Sequence, residues 1–156
     1  MYVKVDLCNA SDGRLYIQPS GVVQVEAAVQ FADAQCFTSL DGASYVLTGS
    51  LQTPVTLEPT WTGGAFSTAQ PAAEDLAGVV HLSGGLSSSS DGVFEEFVLP
   101  PQLRPGKAVV LPISLCDGAN GGMSITTDGV AVVYGVGLNH TGPACFTSPD
   151  GVTFAR

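Results

Sequence analysis

Basic side chains are scarce in this chain: five Lys and Arg stand against 14 Asp and Glu, for a formal net charge of −9. Proteins that grip nucleic acid or anionic lipid do so with clustered Lys and Arg, so no nucleic-acid partner is expected and anionic membrane surfaces are disfavoured. Long apolar runs are missing as well. No stretch of about eighteen apolar residues occurs, so no membrane insertion is expected. The opening Met1-Tyr2-Val3-Lys4-Val5-Asp6 has neither the basic start nor the apolar stretch of a secretory leader. Metal and nucleotide motifs are absent too. The cysteines form no CxxC pair, there is no Asp-x-Asp-x-Asp-Gly loop, and no glycine-rich run carries the phosphate-loop lysine. No metal and no cofactor is expected. Charge of either sign is low, at 12% of residues against 45% hydrophobic, the reverse of a disordered composition.

What the sequence does have is glycine and proline, 19 and 10 of 156 residues. They interrupt long helices and suit strands joined by turns. The chain also repeats itself. Leu7, Cys8, Gly13, Ile17, Gly21, Val22 and Val25 fall on Leu115, Cys116, Gly121, Ile125, Gly129, Val130 and Val133. After one inserted residue, Cys36-Phe37-Thr38-Ser39 falls on Cys145-Phe146-Thr147-Ser148, Asp41-Gly42 on Asp150-Gly151, and Tyr45 on Phe154. All four cysteines lie in register, which makes Cys8 with Cys36, and Cys116 with Cys145, the candidate disulfides. The alternative is four buried thiols acting as small apolar fillers. The expected organisation is a partial module over 1–54, which repeats the C-terminal half of a complete module over 55–156.

Val23, Val25, Ala27, Val29 and Phe31 alternate with more polar neighbours, the period of a strand with one buried face. In the second copy Val130, Val132, Tyr134, Val136 and Leu138 keep the alternation. Short strands precede each, Leu15 to Ile17 and Met123 to Ile125, with hairpin turns at 18–21 and 126–129. Further strands are expected over 43–51, 55–57, 78–86, 93–99 and 108–115, with a polar loop over 87–92. The one candidate helix, Ala69–Leu76, contains Pro71 and is too short to matter. The fold class is all-β, a β-sandwich or jelly-roll-like architecture with an internal repeat.

Residues 61–156 carry Trp61-Thr62, then Gly78-Val79-Val80-His81-Leu82-Ser83-Gly84, Leu99-Pro100-Pro101, Leu103-Arg104-Pro105, and finally Asp150-Gly151-Val152-Thr153-Phe154. In that order these resemble a C-terminal β-sandwich module of bacteriophage and prophage tail-fibre and baseplate proteins. The N-terminal copy repeats the ending as Ser39-Leu40-Asp41-Gly42-Ala43-Ser44-Tyr45. The chain departs from the family in its cysteines and in having Pro100-Pro101-Gln102-Leu103 where Leu-Pro-x-Gly-Tyr is usual. The resemblance implies a non-enzymatic structural or receptor-binding role in a tail fibre or extracellular appendage, located on the virion tail or an extracellular surface. It also implies a homo-oligomer, with a trimer favoured, and contact with host-surface carbohydrate. Two rivals are a stand-alone secreted lectin-like domain and a self-assembling structural subunit.

No convergent set of acids, bases or nucleophiles marks a catalytic site, so no catalytic residue is assigned and no enzyme is expected. Strand alternation sends the neighbours Glu95 and Glu96 to opposite faces, which separates them as a carboxylate pair. His81 reads as a packed strand residue, and Asp41 and Asp150 read as turn formers. The ligand-binding candidates are Tyr16, a strand aromatic whose repeat partner is Ser124, and Asn139 with His140 in a polar loop. Tyr2, Trp61, Tyr45 and Tyr134 are the other aromatics suited to stacking on a sugar.

Overall fold

The computed structural model describes residues 1–41, 43–45, 51–89, 95–135 and 141–156. Turn chemistry divides them into short antiparallel strands in three sheets. The first sheet is a meander of β1 (Tyr2–Asp6), β2 (Asp12–Ile17) and β3 (Val23–Ala27). The second has eight strands. Its centre is a like meander of β11 (Val109–Leu115), β12 (Asn120–Ile125) and β13 (Val130–Gly135). β10 (Glu95–Val98) and β5 (Thr56–Leu57) extend it on one side; β14 (Thr147–Ser148), β9 (Leu86–Ser88) and β6 (Trp61–Gly63) extend it on the other. A turn joins the two edge strands, with the Trp61 N–H donating to the Glu58 carbonyl at 2.9 Å, so the sheet curls almost closed. The third sheet runs β15 (Thr153–Ala155), β8 (Val79–Ser83), β7 (Ala72–Leu76), β4 (Thr53–Pro54).

Alternation on the facing strands builds the core. Phe97, Ile113, Leu115, Met123, Ile125 and Val133 of the second sheet meet Val80 and Leu82 of the third, and all are buried. Each large side chain so buried stabilises the fold by about 1.5–3 kcal/mol. The layers form the all-β sandwich that the strand pattern predicts.

The two meanders share their local geometry. Val5 pairs with Gly13 and Gly13 with Ala27; Ile113 pairs with Gly121 and Gly121 with Gly135. Each first strand ends in a single 3-10 turn whose central residue is left-handed, Asn9 at φ 58° and Asp117 at φ 55°. Asn and Asp tolerate that conformation better than other non-glycine residues. Gly13 and Gly121 both lie under a leucine, Leu7 and Leu115, and a Cβ on either would collide with it. Each meander then leads to a short helix ending in cysteine, α1 (Phe31–Cys36) and α2 (Thr141–Cys145). Disulfides Cys8–Cys36 and Cys116–Cys145 tie the helices back to the 3-10 turns, with Cα atoms 5.9 and 5.8 Å apart.

Three local expectations are corrected. Ala72–Leu76 is a strand, because β8 pairs with it along its whole length. The strand expected over 23–31 ends at Ala27, and α1 takes over at Phe31, so Val29 and Phe31 are exposed. In β13 the buried residues are Ala131 and Val133, not Val130, Val132 and Tyr134. Both faces of that strand are apolar, and pairing with the buried Ile125 and Met123 decides which one turns inward.

Candidate functional site

The first sheet docks on the second through the outward face of its first two strands. Tyr2 opens β1, and its ring stacks on that of Tyr16, its register partner in β2, with centroids 4.7 Å apart. Arg14, two residues before Tyr16, projects from the same face. Its guanidinium lies 4.5 Å from the Tyr2 ring centroid, its Nε donates to Glu26 at 2.6 Å, and one terminal nitrogen donates to the Leu115 carbonyl at 3.3 Å. Tyr2 meets the buried Phe146 edge-on, at 5.5 Å between centroids. Phe146 in turn meets Phe66 edge-on at 5.3 Å. Offset and edge-to-face contacts of this kind are each worth about 0.5–1.5 kcal/mol beyond area burial.

Tyr2, Phe66 and Phe146 line a depression of about 150 Å³ together with Arg14, Asp117 and the Cys116–Cys145 disulfide. That is below the roughly 300–1,000 Å³ of clefts that enclose drug-sized ligands, and it suits a single small ring held at the surface. Two features of the rim bear on function. Phe66 is 64% exposed and sits at φ 53°, ψ 37° in a 3-10 turn. The left-handed region costs an L-residue roughly 1–2 kcal/mol, and strained backbone of this sort collects at ligand sites. Asp117, which also lines the depression, is left-handed too. The Arg14–Glu26 pair is neutral as a unit, so Asp117 leaves the depression with a negative bias. Burial, with the charge of Glu26 adding to it, pushes the Tyr2 phenol up, and it remains a neutral donor.

Tyr16 therefore stands one ring behind the depression and does not line it. Asn139 and His140 lie outside the described residues. Trp61 is buried in the core, whereas Tyr45 and Tyr134 are exposed elsewhere. Sequence reasoning missed Phe66, Phe146 and Arg14, whereas Asp117 lies in one of the polar loops, 117–120, expected to be free for ligand contact.

Other polar groups are placed without converging. Asp150 does more than form a turn: its carboxylate accepts from the Gly84 N–H at 2.7 Å and the Tyr2 N–H at 3.0 Å, joining all three sheets. Burial raises its pKa above the usual carboxylate value, against the pull of those two hydrogen bonds. Glu96 is fully buried beside a register shift in β10, with Thr147 Oγ1 donating to it at 3.0 Å. His81 pairs in register with Glu74 and Thr153. Among the described residues no group of three His, Cys, Asp or Glu side chains is placed to hold a metal ion.

No protein-family model matches the chain, and neither a curated protein nor a solved structure matches it.

Proposed function

We propose that this chain is a non-enzymatic binding module of a phage-like tail fibre or extracellular appendage, and that it contacts a host-surface glycan through the aromatic depression. The observation that carries the reading is Phe66, an exposed aromatic held in strained backbone at the rim of a ring-lined hollow. Aromatic faces stack on the apolar faces of sugar rings, while Asp117, the Tyr2 hydroxyl and the free edge of Arg14 supply hydrogen-bonding groups around them. With a net charge of −9 and Asp117 on the rim, the partner is a neutral sugar and not an anionic polysaccharide. Two disulfides fit an oxidising compartment, as an extracellular location requires. Among the described residues no helix is long and apolar enough to cross a membrane.

The test is a glycan array and whole-cell binding assay with the native chain and Phe66→Ala. Phe66 is mostly exposed, so its truncation leaves the fold intact. The expected result is a loss of about tenfold in affinity, or ~1.4 kcal/mol, with an unchanged far-ultraviolet spectrum and only the small drop in melting temperature that losing the Phe66–Phe146 contact brings. Unchanged binding removes the depression from the site, and a parallel His140→Ala variant then tests the polar loop. The second reading, a self-assembling structural subunit, is favoured by a separate feature, the exposed apolar face of the first sheet.

A further inference from the structure

The two meanders differ in what covers them. In the second, Met123, Ile125, Ala131 and Val133 face Val80, Leu82 and Ala73 of the third sheet and are buried. Their counterparts in the first are Leu15, Ile17, Val23 and Val25. Of these Leu15 alone is buried; Ile17 and Val25 are half-buried, and Val23 is 54% exposed. Ala43 and Tyr45 stand where Val152 and Phe154 of β15 stand in the second unit. Phe154 is buried in the core, whereas Tyr45 is 46% exposed. Among the described residues no strand covers the first sheet as β7 and β8 cover the second. The result is an apolar groove of about 300 Å³ lined by Val3, Leu15, Ile17, Val23, Leu40 and Tyr45.

We infer that this groove is a self-association face, and that a second copy of the chain covers it with its own first sheet. Three observations point to that occupant. The second meander shows what the same strand arrangement takes on this side: one β-layer with apolar side chains turned inward. The first sheet of another copy is such a layer, and two of them stacked about 10 Å apart reproduce sheet-on-sheet packing. Among the described residues no charged side chain lines the groove. Two chains of net charge −9 therefore meet there without opposing like charges, which most of their acidic surface would not allow. Finally, Val23, Leu40 and Tyr45 are all more than two-fifths exposed and contiguous on one face, the signature of an interaction site. A flat face covered by one layer closes with two chains. The expected assembly is thus a twofold pair and not the trimer that the tail-fibre resemblance implies. The inference does not rest on the glycan reading, since groove and depression are lined by different residues.

The test is sedimentation equilibrium of the intact, oxidised chain with Val23→Glu and Leu40→Glu, each at an exposed position, and Val110→Glu as control. Val110 is 69% exposed on β11, outside the groove. The native chain and Val110→Glu should sediment at twice the chain mass. Each groove variant should raise the dimer dissociation constant at least about tenfold, with an unchanged far-ultraviolet spectrum and melting temperature. Leu40 lies outside the strands, so its variant keeps the test valid if Val23→Glu disturbs β3. A monomeric native chain, a trimer, or a dimer that survives Leu40→Glu overturns the inference.

Discussion

Glu96 illustrates how much one side chain can set. Burial pushes its carboxyl well above the ordinary range, and the Thr147 hydrogen bond pulls only partly back. Thr147 Oγ1 lies 3.0 Å from both Glu96 Oε1 and the Pro143 carbonyl. One hydroxyl has one proton, which Thr147 divides between Glu96 Oε1 and the Pro143 carbonyl; that is too little to hold a buried carboxylate charged, so Glu96 keeps its own proton. The folded chain then binds this proton more tightly than the unfolded chain. The associated stability is fully present below the unfolded carboxyl's titration and is lost as pH rises through the raised folded one. Glu96→Gln removes the titration. It should melt at a higher temperature than the native chain at neutral and alkaline pH, with the gap closing towards acid, as thermal melts across pH will show.

At the scale of elements, each disulfide closes a short helix onto a 3-10 turn across 28 or 29 residues. In the chain-entropy model each contributes about 3–4 kcal/mol. The double variants Cys8→Ser/Cys36→Ser and Cys116→Ser/Cys145→Ser should therefore lose similar stability in denaturant titrations. Under the glycan reading they differ in binding, because Cys116 and Cys145 line the depression and Cys8 and Cys36 do not. The pairing was legible in the sequence because the repeat aligns four cysteines in two equivalent couples. The hairpins were legible because glycine and alternation mark them locally. Phe66 was not, since a left-handed Phe leaves no sequence signature and its neighbours Phe146 and Tyr2 are remote in the chain. Nor was the burial of Glu96: a register shift in β10 puts it and Phe97 both inside, which strict alternation forbids.

For the whole molecule, the decisive joint is the one between first and last strands. The Asp150 carboxylate accepts from Tyr2 and Gly84, and the Ser148 hydroxyl donates to the Tyr2 carbonyl at 2.9 Å. These bonds occupy the open edge of β1, which would otherwise invite pairing with other chains. Asp150→Asn replaces a double acceptor with a single one and should cost about 1–3 kcal/mol, together with faster hydrogen exchange at the Tyr2 or Gly84 amide. Asp41→Asn, at the exposed counterpart position, should be close to neutral. Equal losses in the two variants would show that the joint contributes nothing special.

The same joint fixes an order of events. Tyr2 leaves the ribosome well before its partners, Ser148 and Asp150, which are 146 and 148 residues behind it. At about 5–20 residues per second, β1 waits roughly seven to thirty seconds for these partners to exist. During that interval the first sheet has only its own hairpins and its own disulfide to hold it, and the docking of β1 waits until Ser148 and Asp150 have emerged.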